Sequence, residues 1–319
     1  MSTVLTVVTG ASGFVGRTLC SELLRCGHSV RGVSRHIDVR RALIEGVEPL
    51  AVGTINAFTE WKDALVGCDV VVHLAARVHV MDDKARDPLS EFREVNADGT
   101  LHLARQAAKA GAKRFVFIST VKVLGEGRDA VYRDTDAPMP EDAYALSKWE
   151  AEQGLQRMAQ ETGLEVVILR PPLVYGPGVK ANLLSMMRWL QRGVPLPLGA
   201  VEHNRRSLVA LDNLVDLIVT CLYHPAAANQ TFLVSDGEDL STTDLLRRLA
   251  AAMNVPARLL PVPVWALEAG AAMVGKRAMM QRLCGNLQVD ISKTRALLGW
   301  NPPIGVDEGL RRAAGGIKG

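Results

Sequence analysis

The segment that most constrains this 319-residue chain is its first turn. An apolar, β-branched run (Val4–Thr9) passes through Thr9-Gly10-Ala11-Ser12-Gly13-Phe14-Val15-Gly16 into a helical pattern carrying Phe14, Leu19, Leu23 and Leu24. A turn this tight from strand to helix needs glycine wherever a Cβ would obstruct it. The G-x-x-G-x-x-G spacing also leaves bare backbone N–H groups at a helix N-terminus, where a pyrophosphate is favoured. Gly10, Ser12, Gly13, Phe14 and Val15 are therefore candidate dinucleotide-binding residues, and Gly16 lets the helix pack closely on the strand.

Strand and helix signals alternate beyond that loop. Ser29–Ser34, Val47–Val52, Asp69–Ala75, Arg114–Thr120 and Glu165–Arg170 read as strands, with helices over about 89–110 and 142–162. This pattern predicts an α/β fold, a doubly wound parallel sheet of Rossmann type with right-handed crossovers. Prolines and glycines loosen the pattern after Pro171, and shorter elements follow. The expected division is a dinucleotide-binding domain over 1–172 and a smaller C-terminal α/β substrate domain over 173–319, with an interleaved boundary.

Composition narrows the function classes. A net charge of +3 with no long basic run argues against nucleic-acid binding. The five cysteines show no C-x-x-C spacing and no companion histidines, so no metal site is expected, and the scattered thiols fit the reducing cytoplasm. The first residues read as a strand and not as a signal peptide. The most apolar stretch, Val262–Gly275, is too short to span a bilayer and is interrupted by Glu268, so a packed helix is expected there.

The chemistry concentrates later in the chain. Tyr144-Ala145-Leu146-Ser147-Lys148 places a phenol and an ammonium on one helix face at i, i+4. A tyrosine with a pKa near 10 becomes a useful acid/base only if a neighbouring cation favours its phenolate, and Lys148 is placed to do so. Thr120 ends a strand at the sheet edge where ligands bind in such folds, with Ser119 as the adjacent hydroxyl. At the end of the second strand stand Ser34 and Arg35, with Arg31 nearby, where an NAD site carries an acidic ribose ligand. A guanidinium without a carboxylate there tilts the cofactor expectation from NAD toward NADP.

Together these motifs resemble the extended short-chain dehydrogenases/reductases of the nucleotide-sugar epimerase/dehydratase type. The similarity runs through TGASGFVG (9–16), HLAA (73–76), VNADGT (95–100), ISTVKVLG (118–125), YALSK (144–148), RPPLVYGPG (170–178), RRSLVALDN (205–213) and VDISKTRALLGW (289–300). The resemblance implies that Leu74, Ala75 and Ala76 line the dinucleotide, that Asn96 supports the site, and that Pro171 and Val174 touch the nicotinamide end. It implies Tyr144 as acid/base, Lys148 as its partner and Thr120 as the third member. It places Asn182 and Leu183 at the nucleotide of a UDP-sugar and Arg206 at its diphosphate, with Arg282 or Arg277 as second arginine. It also implies a homodimer through the helices near 89–110 and 142–162.

Two enzymatic expectations share that site. One is a reductase acting on a UDP-4-keto-6-deoxy-N-acetylhexosamine in bacterial O-antigen precursor synthesis, which Ser34–Arg35 favours. The other is a UDP-glucose or UDP-GlcNAc 4-epimerase. A dehydratase is disfavoured because Val121 and Lys122 stand where an acidic pair is needed for elimination. A non-catalytic NADP sensor is the third reading, opposed by the complete Thr120–Tyr144–Lys148 set.

Overall fold

The computed structural model describes residues 4–35, 43–78, 87–273 and 275–316. Its strands are β1 (Leu5–Thr9), β2 (Ser29–Ser34), β3 (Glu48–Ala51), β4 (Val70–His73), β5 (Arg114–Ile118), β6 (Glu165–Arg170), β7 (Leu173–Tyr175), β8 (Arg206–Ala210), β9 (Thr231–Leu233) and β10 (Asp239–Leu240). Seven form one parallel sheet in the order β3-β2-β1-β4-β5-β6-β9. From β1 the chain winds outward through β2 and β3, then returns to place β4 on the other side. The C-terminal ends of β1 and β4 therefore flank the crevice where such sheets bind ligands.

Each face of the sheet is covered, which is why its central strands read as unbroken apolar runs. On one face α1 (Phe14–Arg25) contributes Leu19, Cys20 and Leu23 to the core. On the other lie α2 (Lys62–Leu65), α3 (Pro88–Arg93), α4 (Gly99–Lys109) and α5 (Ala143–Thr162), with Leu103, Ala107, Leu155 and Met158 packed inward.

The single helix expected over about 89–110 is interrupted. A π-helical turn, Glu94–Asp98, joins α3 to α4 and carries Asn96 into the interior. The Asn96 amide accepts from Arg77 N–H at 2.8 Å and donates to the Arg77 carbonyl and to Ser147 Oγ, each at 3.0 Å. A periodic pattern cannot show such a bulge, because one extra residue barely disturbs the apolar stripe.

A second core gathers around α6 (Ala181–Gln191), β7 and β8, α8 (Thr242–Ala252) and α12 (Val306–Gly315). Here β8 pairs with β7 in parallel and with β10 antiparallel. The chain interleaves the two cores. Helix α7 (Leu211–Tyr223) packs beside α1, and β9, far along the chain, is the seventh strand of the large sheet. The remaining helices are α9 (Val264–Met273), α10 (Arg277–Cys284) and α11 (Ser292–Leu298). On α9, Leu267 and Ala271 are buried while Trp265 and Met273 are exposed. Among the described residues no helix is long and apolar enough to cross a membrane.

Candidate active site

The glycine loop fits an anion. Gly10 has φ +69°, and a Cβ there would meet Ala75 N at 3.0 Å, so the loop presses against the exit of β4. Gly16 is tighter still, because a Cβ would lie 2.2 Å from the Gly10 carbonyl oxygen. Gly13 caps α1 with no side-chain hydrogen bond, and the first turn contains no acidic residue. The helix N-terminus is thus left to a negatively charged ligand, and a dinucleotide pyrophosphate suits it. Thr9 Oγ1 accepts from Ala75 N–H at 3.2 Å and lies 2.7 Å from His73 Nδ1, tying the loop to the Leu74–Ala76 segment.

At the end of β2, Ser34 is half-buried and Arg35 exposed. Arg31 does not belong to this edge. It is buried and committed to Glu48 Oε2 at 3.0 Å and to the carbonyls of Ala64 and Val66 at 2.8 and 3.0 Å.

Helix α5 holds the phenol and the ammonium. Asp142 caps it by accepting from Ala145 N–H at 2.7 Å, and the buried pair Glu152–Arg170, with contacts down to 2.5 Å, locks it to β6. Ser147 Oγ, which receives the Asn96 amide, donates to the Tyr144 carbonyl at 2.8 Å. Lys148 is buried with its ammonium 4.1 Å from the Phe117 ring centroid, while Glu152 is already paired. Burial pushes Lys148 down to about 7, partly offset by the charge of Glu152.

Tyr144 departs from the expectation of a depressed pKa. Burial, then the Asp142 carboxylate, pushes its phenol up to about 12. Taking a phenol out of water costs the anion more than a lysine that is itself near neutrality returns. The neighbouring His73, buried between Thr9 and the Thr100 hydroxyl at 3.0 Å, is pushed down to about 3 by burial and by Lys148.

Thr120 follows β5 and caps a 3-10 turn, Val121–Leu124, its hydroxyl accepting from Lys122 N–H at 3.3 Å. Thr120 faces a cavity of about 500 Å³ that Tyr144, Val174, Asn182, Leu183, Arg206 and Arg282 also line. Ser119 and Arg277 are not part of its lining. Pro171 lies behind it, its carbonyl accepting from Val121 N–H at 3.0 Å. Arg206 starts β8 and donates to the Gly285 carbonyl at 3.1 Å. Burial lowers its pKa, Glu126 works against that lowering, and Arg282 adds to it.

The profile of the NAD dependent epimerase/dehydratase family matches residues 6–235. A UDP-glucose 4-epimerase of Vibrio cholerae is 49% identical over 312 residues, covering 97% of this chain and 94% of that protein. The chain belongs to the NAD-dependent epimerase/dehydratase family. A more distant relative, the N-acetyl-α-D-glucosaminyl-diphospho-ditrans,octacis-undecaprenol 4-epimerase of Escherichia coli O157:H7, is 26% identical, covering 96% of this chain and 93% of the other. Among solved structures, the UDP-glucuronic acid 4-epimerase of Bacillus cereus in complex with NAD superposes with TM-score 0.79 at 22% identity, covering 99% and 97% of the two chains. The UDP-glucose 4-epimerase of Thermotoga maritima with UDP-glucose gives 0.77 at 22% identity and 99% coverage of both.

This epimerase/dehydratase-family site also contains groups that motif reading passes over. Lys122 Nζ pairs with Asp142 Oδ2 at 3.1 Å and with Glu126, and Glu126 Oε2 lies 3.5 Å from Arg282 Nε. The i, i+4 spacing of Lys122 and Glu126 was the available signal. Tyr175, from the RPPLVYGPG motif, is buried outside the cavity and donates to Asp236 Oδ2 at 2.7 Å.

Proposed function

We propose that this enzyme catalyses NAD(P)-dependent hydride transfer at C4 of a UDP-sugar, used for 4-epimerisation. The observation that carries the reading is one cavity holding both a hydroxyl–phenol pair, Thr120 and Tyr144, and an arginine pair, Arg206 and Arg282. The arginines suit a diphosphate because each offers forked donors to phosphate oxygens. Asn182 and Leu183 take the nucleotide beside them. In this reading the segment 1–172 carries most of the cofactor residues and 173–319 most of the substrate contacts.

A nicotinamide dinucleotide, when bound, supplies the hydride acceptor and donor. The chain's own residues manage the proton and the geometry. Gly10, Ser12, Gly13, Phe14 and Val15 hold the pyrophosphate, while Ser34, Arg35 and Leu74–Ala76 flank the adenosine side and Pro171 and Val174 the other end. Tyr144 exchanges a proton with the C4 oxygen, and Thr120 hydrogen-bonds that oxygen. Lys148, poised near neutrality, holds the ribose and stabilises the phenolate when charged. Aliphatic walls, including Met186, Leu208 and Leu245, offer a 4-keto sugar few polar anchors and leave it free to turn. Among the described residues the nearby carboxylates Glu126 and Asp142 are both tied to Lys122, which disfavours elimination.

A second reading, 4-ketoreduction of a UDP-4-keto-6-deoxy-N-acetylhexosamine for bacterial polysaccharide, is favoured by one observation. Ser34–Arg35 closes β2 without a carboxylate, a pattern suited to NADP. One experiment separates the two. The protein is incubated with UDP-glucose or UDP-GlcNAc, and separately with the 4-keto-6-deoxy sugar nucleotide plus NADH or NADPH. Appearance of the C4 epimer without net redox supports epimerisation. Cofactor consumption confined to the ketone, with no epimer formed, replaces it with reduction.

A further inference from the structure

The cavity contains a carboxylate where the proposed function needs phosphate. Glu126 follows Gly125, whose φ of +114° suits glycine; a Cβ there would meet Tyr132 Oη at 3.2 Å and Glu141 Oε1 at 3.3 Å. The Glu126 N–H donates to Glu141 Oε1 at 2.9 Å, which anchors the turn. From this anchored backbone the Glu126 side chain reaches two cations. One oxygen pairs with Lys122 Nζ, and the other stands 3.5 Å from Arg282 Nε. Arg206 also feels it, since Glu126 favours the charged guanidinium and Arg282 opposes it.

We propose that Glu126 is a specificity-determining counter-ion: it neutralises the Arg206–Arg282 pair before substrate arrives, and a pyrophosphate displaces it onto Lys122. The proposal rests on the reading that these two arginines take the substrate diphosphate. Lys122 makes the exchange feasible, because its ammonium already contacts the carboxylate and keeps it compensated after Arg282 is given up. Asp142, 3.1 Å from the same ammonium, holds Lys122 in place from the cap of α5.

The exchange selects by charge. A ligand with a single carboxylate replaces Glu126 like for like and gains little. A pyrophosphate brings more negative charge and forked acceptors to both arginines, so it gains on exchange. Without the resident carboxylate, two close guanidiniums in a half-buried cavity would attract small anions indiscriminately.

The test is calorimetric binding of UDP and of uridine to the full chain, at low and high salt. Glu126→Gln keeps the shape and removes the charge. It is expected to bind UDP about three- to tenfold more tightly at low salt, with the gain shrinking as salt rises and uridine unaffected. Lys122→Met leaves the carboxylate to Arg282 alone and is expected to weaken UDP about two- to fivefold. If Glu126→Gln does not fold, Glu126→Asp serves instead, its shorter side chain drawing back from Arg282 and giving a smaller gain. A folded Glu126→Gln that binds UDP no better than wild type, or gains equally for uridine, overturns the counter-ion. Wild-type protein that binds UDP no better than uridine overturns the arginine reading instead.

Discussion

Replacing Lys148 by methionine should make the cofactor-free protein more stable while disabling it. Lys148 is buried, its ammonium sits over Phe117, and Glu152 is occupied by Arg170. Lowering its pKa from 10.5 to about 7 corresponds to about 5 kcal/mol of differential cost for holding the charge inside the fold. Below pH 7 the folded and unfolded chains both carry the proton, and the full cost applies. Between pH 7 and 10.5 the unfolded chain binds a proton that the folded chain has released, so this group's contribution to stability rises with pH. Above 10.5 the cost vanishes. Methionine has a similar length and suits the aromatic surface. At pH 6 the variant should therefore melt several degrees higher, at about 2 °C per kcal/mol for a chain of this size. That gap should close progressively as pH is raised from 7 toward 10. Paired melts of wild type and variant across this range isolate the effect. Groups not coupled to Lys148 cancel in the difference, and His73, which is coupled to it, titrates in the fold near 3, below this range. A gap that does not change with pH, or a wild type more stable at pH 6, would refute the reasoning. Turnover in the variant should fall at least about 100-fold, the cost of losing the group that supports the phenolate.

Tyr144→Phe keeps the packing against Phe92 but removes the proton carrier. Steady-state kcat should drop by about 10²- to 10⁴-fold with dinucleotide affinity unchanged; a loss under tenfold would assign the proton to another group. Gly16→Ala drives a Cβ to 2.2 Å from the Gly10 carbonyl and 2.8 Å from Ala11 Cα, both backbone atoms that cannot rotate away. A stability loss of about 1–3 kcal/mol and at least tenfold weaker NAD(P)H binding are expected, measured by melting and by fluorescence titration. Normal binding by this variant would mean the loop has more room than the packing allows.

The glycine loop, the alternating strands and the Tyr144–Lys148 pair were legible because each is a local requirement. A tight turn demands glycine, a doubly covered strand demands an apolar run, and an i, i+4 pair shares a helix face. Arg31 was not legible, because a guanidinium near the end of β2 reads the same whether it awaits a phosphate or is buried against Glu48. The sign of the Tyr144 shift is not legible in the sequence for a related reason. Sequence spacing shows a neighbouring lysine but not that both groups lose their water. The π turn at Glu94–Asp98 and the membership of β9 in the large sheet depend on partners distant in the chain.

By itself the sequence determined the doubly wound sheet and the crevice it creates, because strand period, glycine positions and connection lengths leave few other topologies. Only the tertiary structure decided which polar groups share that crevice. It brought Arg206 of β8 and Arg282 of α10 into one cavity with Thr120 and Tyr144, and lined that cavity with Glu126 and Lys122 as well. Charges interact through space at a few ångströms and through a dielectric set by burial, and neither quantity is written in the order of residues.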